Sequence, residues 1–188
     1  MLTAFFVSFG VIFVAELGDK SQLMALAFAT RFKTMPVMIG ITLATAIVHA
    51  VSVFVGAVVG AALPTRAITI IAAFAFVAFG FWTLRGDKLT SDDIERANRP
   101  ARNTILTVGG VFFLAELGDK TMLATITLAT HYGVFGTWLG STVGMVLADG
   151  LAIVVGRMLG ARLPERAVRI GAAISFFVFA AIMLIENL

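Results

Sequence analysis

There is no cysteine among the 188 residues of this chain, which removes disulfide frameworks and thiolate metal ligands together. Any bound metal ion must be held mainly by oxygen. Charge is scarce too: 13% of residues are charged and 60% are hydrophobic, against about 25% and roughly 45–50% in soluble domains. A single-domain, all-α integral membrane protein is the expectation. No Ser/His/Asp set, Gly-rich phosphate loop or His-x-x-x-His zinc pattern is present, which argues against an enzyme. The net charge of +3 does not call for nucleic acid. Nearly all the Arg and Lys lie in short connections between apolar segments, where they orient a membrane protein.

What is present is six apolar segments, at 3–30, 36–62, 67–84, 104–130, 134–157 and 167–185. Each is near or above the ~20 residues that a spanning helix needs. Residues 2–15 have no basic stretch before them and an acidic motif after them, so they read as the first half of a retained helix rather than a signal peptide. The polar linker 85–103 separates repeat one (1–84) from repeat two (104–188).

The two repeats match at a constant offset of 100 residues. Gly40 matches Gly140, Thr42 matches Thr142, Gly56 matches Gly156, Gly60 matches Gly160, Leu63-Pro64 matches Leu163-Pro164, and Phe76 matches Phe176. With three spans in each half, the second half enters the membrane from the opposite side, which gives two inverted three-helix repeats. Arg31, Lys33, Arg85, Lys88, Arg96, Arg99, Arg102, Arg157, Arg162, Arg166 and Arg169 fall on one side and only Arg66 on the other. The first side is expected to be cytoplasmic, with both termini outside. Trp82, Tyr132 and Trp138 lie near segment ends and read as interfacial anchors.

Inside the otherwise apolar first segment of each half stands one polar motif, Glu16-Leu17-Gly18-Asp19-Lys20-Ser21 and Glu116-Leu117-Gly118-Asp119-Lys120-Thr121. An ionised side chain at the bilayer centre costs ~2.5–3.5 kcal/mol on insertion scales, so these groups are expected to face protein or a hydrated cavity. On a continuous helix, Glu, Asp and Lys at i, i+3 and i+4 share one face. Each motif carries a formal charge of minus one, and two motifs that meet sum to minus two. One divalent cation or two protons would neutralise them. Carboxylates and hydroxyls suit Ca²⁺, Mg²⁺ or Mn²⁺.

Gly18 and Gly118 would let a facing backbone approach or let the helix open. Lys20 and Lys120 either pair with the acids or point toward the interface. Thr42, Thr45, His49 and Ser52 make a polar stripe on the second segment, and Asp149 stands where His49 has its counterpart. His49 is open between a hydrogen-bonded neighbour of a carbonyl and a proton relay, and Asp149 is the stronger relay candidate. Gly56, Gly60, Gly156 and Gly160 read as close helix packing. Gln22 is replaced by Met122 in the second copy. A thioether lining the site would favour Mn²⁺, and otherwise Met122 is packing.

The duplicated Glu-Leu-Gly-Asp-Lys-Ser/Thr motif, in a chain of two three-helix halves, resembles the Gdt-type family of small membrane cation transporters. The resemblance covers nearly the whole chain and implies exchange of Mn²⁺ or Ca²⁺ for protons. It makes Glu16, Asp19, Glu116 and Asp119 the expected cation-site acids, with Ser21 and Thr121 as hydroxyl partners. The ion would be substrate, with no resident cofactor. The expected partners are the lipid bilayer, a divalent cation and protons, with a homo-oligomer left open. The expected location is a prokaryotic plasma membrane, for want of a transit peptide. A transporter of another solute, such as a basic amino acid, and a membrane assembly factor with structural ion pairs are the alternatives.

Overall fold

The computed structural model describes residues 1–86, 91–92, 95, 102–159 and 165–185. Lys88, Arg96, Arg99, Gly160, Arg162, Leu163 and Pro164 lie outside these residues, as does most of the linker 85–103. Eight helices organise the described chain: α1 (Leu2–Glu16), α2 (Lys20–Arg31), α3 (Thr34–Ala62), α4 (Thr65–Arg85), α5 (Thr104–Glu116), α6 (Lys120–Tyr132), α7 (Val134–Leu159) and α8 (Glu165–Ile185).

The expected segments 36–62, 67–84, 134–157 and 167–185 each emerge as one helix. The segments 3–30 and 104–130 do not, because each breaks within its polar motif. Gly18 and Gly118 adopt φ of 76° and 78°, a region that side chains disfavour. The breaks are closed locally. Asp19 N–H donates to the Glu16 carbonyl at 3.1 Å, and Asp119 N–H to the Glu116 carbonyl at 3.2 Å. α1 and α2 bend by 73°. The shared helical face expected for Glu, Asp and Lys is therefore replaced by a helix end, a turn and a helix start.

By length and hydropathy, α3, α4 and residues Val134–Arg157 of α7 can each cross a membrane, and the bent pair α1–α2 adds a fourth if it is counted as one span. α5 and residues Arg169–Ile185 of α8 are apolar but shorter.

The halves interlock, and glycines mark where. A Cβ on Gly40 would lie 2.9 Å from the Ile105 carbonyl of α5, while one on Gly140 would collide with the Phe5 carbonyl of α1. The contact recurs with 100 added to one residue and subtracted from the other. Gly56 meets Ile126 of α6, and Gly156 meets Leu26 of α2, in the same reciprocal way. The packing expected for Gly56 and Gly156 is thus realised between copies. Along α7, Gly136, Gly140 and Gly144 let the backbone of α1 lie directly against the helix. From Gly40–Ile105 to Gly56–Ile126, α3 runs parallel to α5 and α6, and α7 runs likewise along α1 and α2. Thr45 Oγ donates to Met145 Sδ at 3.6 Å, and the Phe76 and Phe176 rings stack at 6.0 Å, where the copies face each other.

Gly140→Ala is accordingly expected to destabilise the protein by about 1–3 kcal/mol through overpacking. Gly110→Ala, whose new methyl group meets nothing within 4 Å, should instead stabilise α5 by about 0.5–1 kcal/mol. Thermal melting of the detergent-solubilised variants would compare them, and equal shifts would contradict the packing.

Two apolar clusters fill the interior. One joins Val11, Ile12 and Ala15 of α1 with Phe76 of α4, Leu128 of α6 and Phe176 of α8. The other joins Met24 and Phe28 of α2 with Ile41 of α3, Phe112 of α5 and Ile153 of α7. α4 and α8 contribute only to the first. Tyr132 packs partly buried against that cluster. Trp138 donates from Nε1 to the Ala46 carbonyl of α3 at 2.9 Å. Both serve packing, beyond the interfacial role expected of them.

Candidate cation site

The two breaks meet in the interior. Glu16 closes α1 and Asp19 opens α2, and Glu116 and Asp119 do the same for α5 and α6. All four carboxylates are buried. The start of a helix carries partial positive charge from unsatisfied N–H groups, which favours an acid at that place. Asp119 uses it directly, accepting from Thr121 N–H at 3.5 Å. Asp19 makes no such cap bond.

Each glutamate is held by the hydroxyl of its own copy. Thr121 Oγ donates to Glu116 Oε2 at 3.0 Å, and Ser21 Oγ donates to Glu16 Oε1. Ser21 Oγ also lies 3.3 Å from Asp19 Oδ2. The second oxygens, Glu16 Oε2 and Glu116 Oε1, are buried and have no hydrogen-bond partner among the described residues.

The aspartates are held across copies. Lys120 Nζ is 2.5 Å from Asp19 Oδ1, and Lys20 Nζ is 3.2 Å from Asp119 Oδ1. Of the two arrangements left open for the lysines, the structure shows pairing with the acids. No short-range pattern in the sequence could have shown which acid each lysine meets.

Gln22 and Met122 have matching duties at the breaks. Gln22 Oε1 accepts from Gly18 N–H at 2.8 Å, and Met122 Sδ accepts from Gly118 N–H at 3.2 Å. Gln22 Nε2 further donates to the Ala148 carbonyl of α7 at 2.9 Å. Met122 is thus a turn-closing acceptor as well as packing.

Asp149 of α7 is fully buried, and neither of its oxygens has a hydrogen-bond partner among the described residues. It lies within electrostatic range of Glu16, Glu116 and Asp19. Counting it, the fully ionised cluster sums to minus three rather than minus two. His49, also buried, has its Nδ1 3.4 Å from Thr142 Oγ. Of the expected polar stripe, Thr45, His49 and Ser52 are buried, but Thr42 is exposed and bonds the Met38 carbonyl. Among the described residues, no three His, Asp or Glu side chains converge as a metal-ligating set.

Acids and hydroxyls thus lie buried at the breaks of two apolar helix pairs. The sequence model of the divalent cation/proton antiporter GDT1 matches residues 4–91 and 104–188, and the chain belongs to that family.

Its relatives have diverged widely. A Vibrio cholerae protein described as a candidate manganese exporter is 31% identical over 166 residues, spanning 87% of this chain and 81% of its own. GDT1-like protein sll0615 of Synechocystis is 30% identical over 200 residues, covering 97% of both chains. The chloroplastic protein PAM71 of Arabidopsis thaliana is 32% identical over 206 residues, which are 95% of this chain and 56% of that protein. No solved structure matches the chain.

Proposed function

We propose that this protein exports Mn²⁺ from the cytoplasm of a prokaryotic cell in exchange for protons, with Ca²⁺ as the alternative ion. The pairing of each motif's lysine with the other motif's aspartate, which brings the two buried breaks together, carries this reading. Glu16, Asp19, Glu116 and Asp119 would hold the ion, with Ser21 and Thr121 orienting the glutamates. Oxygen donors of this kind suit a hard divalent cation. The choice of Mn²⁺ draws on the name borne by the Vibrio relative. Met122 adds little to it, because its sulfur is engaged by Gly118 N–H.

The membrane arrangement belongs to the same proposal. The chain is one domain of six spans, with α1–α2 and α5–α6 each counted as one broken span. The parallel run of α3 along α5 and α6, and of α7 along α1 and α2, supports inverted repeats. The basic residues place the linker 85–103 in the cytoplasm and both termini outside. Asp149, beside the acids, is the better candidate for moving a proton, while His49 is engaged with Thr142.

Purified protein in proteoliposomes should take up Mn²⁺ when driven by a pH gradient, acid inside. Flux of lysine or arginine in place of Mn²⁺ and Ca²⁺ would favour another solute. Absence of any flux would favour the assembly factor, in which the ion pairs are structural.

A further inference from the structure

A lysine ammonium inside an apolar bundle needs a counter-charge, because lipid offers none. Lys20 and Lys120 each have an aspartate as the preceding residue, yet each is paired with the aspartate of the other copy. The two ion pairs therefore bridge the two helix breaks. The glutamates are occupied differently, by hydroxyls of their own copies. Asp19 and Asp119 thus each already have a cation, and that cation is built into the chain.

The pairs are not equivalent. Lys120–Asp19 is short and sealed, with the lysine side chain 3% exposed. Lys20–Asp119 is longer, and the Lys20 side chain is 23% exposed. The turn beside it is also open, since Leu117 and Gly118 are exposed while Leu17 and Gly18 are half-buried. Of the two pairs, Lys20–Asp119 is the more accessible.

We propose that Lys20 and Lys120 are tethered counter-cations that the transported divalent ion displaces from Asp119 and Asp19. This rests on the reading of the acids as the cation site. Ion binding then exchanges internal ammonium groups for an external ion, and the lysines return when the ion leaves. The lysines set the affinity as competitors, so the cluster is kept from holding its substrate too tightly to release. Each ammonium also keeps the two breaks joined while no metal ion bridges them. Lys20 yields first because its pair is the more open.

The test is Mn²⁺ binding to the purified, detergent-solubilised protein, read from the electron paramagnetic resonance signal of free Mn²⁺. Lys20→Gln should bind Mn²⁺ about tenfold more tightly than wild type, and Lys20→Arg, which keeps the charge, should stay near wild type. Lys20→Gln should also exchange Mn²⁺ more slowly in proteoliposomes, because release is no longer assisted. Unchanged or weaker binding by a Lys20→Gln protein that melts cooperatively would overturn the proposal.

A second measurement needs no variant. Saturating Mn²⁺ should raise the rate at which an amine-reactive reagent modifies Lys20 in wild-type protein, as read by peptide mass spectrometry. Labelling of Lys20 indifferent to Mn²⁺ would overturn the proposal even if the variants fail to fold. The underlying reading fails separately. In that case wild type shows no saturable Mn²⁺ binding that Glu116→Gln removes.

Discussion

Glu116→Gln is expected to abolish Mn²⁺ transport while leaving the protein folded. The amide keeps the size of the side chain and can still accept from Thr121 Oγ, the bond that positions Oε2 at 3.0 Å. It loses the charge. It also replaces one acceptor oxygen by an amide donor, and Oε1 is the oxygen with no donor facing it among the described residues. Glu16→Gln makes the same change on the related side, where Oε2 is the unpartnered atom. Asp19→Asn and Asp119→Asn act through the other half of the cluster. Since changes to groups that merely orient metal ligands cost about 10–100-fold, loss of a ligand charge should cost on the order of 100-fold or more in transport. Flux into proteoliposomes checks the activity and a melting curve checks the fold. Full Mn²⁺ transport in any two of these four variants would refute a shared site.

The second large effect is proton release on metal binding. Moving a divalent ion outward against a potential of about 100 mV, negative inside, costs about 4.6 kcal/mol, so export needs a driving ion. On the proposed function the cluster would supply the coupling, because Mn²⁺ would bind the ionised carboxylates and so compete with protons for the same oxygens. Apparent Mn²⁺ affinity should therefore fall as pH is lowered from about 8 to 6, the sign expected when protons and metal compete. Calorimetry in buffers of different ionisation enthalpy should report at least one proton released per Mn²⁺ bound. In inside-out vesicles, a pH gradient alone, acid inside, should drive Mn²⁺ uptake. Binding without proton release, together with flux indifferent to the gradient, would identify a channel or uniporter.

Much of this was legible in the sequence because duplication is a global signal and apolar length is a robust one. The offset of 100 residues located both motifs, and Gly56 and Gly156, read as close packing, do meet the other copy; Gly40 and Gly140 were legible only as a repeat match. The helix breaks were half legible. Gly18 and Gly118 allowed an opening, but a single glycine is also tolerated inside a helix, so the apolar runs 3–30 and 104–130 read as continuous. The breaks are closed by side chains four residues on: Gln22 and Met122 accept from the Gly18 and Gly118 N–H groups.

The partners of Lys20 and Lys120 were not legible at all. Each has an aspartate next to it in sequence, and only the interlocking of the halves brings the other one nearer. Asp149 was singled out as acidic and buried by position. Its place within reach of Glu16, Glu116 and Asp19 depends on how α7 lies along α1 and α2.

Copies so alike in sequence need not be alike in surroundings. α4 packs on α6 and α8 packs on α1, whereas the equivalent pairings of α8 with α2 and of α4 with α5 are at most marginal among the described residues. Exchanging the roles of the halves would give a second arrangement, built from the same kinds of side chain, in which α8 packs on α2 and α4 on α5. On the proposed inverted-repeat reading, duplication would supply both arrangements from one kind of sequence, and a difference in how ion or proton occupies the centre would choose between them.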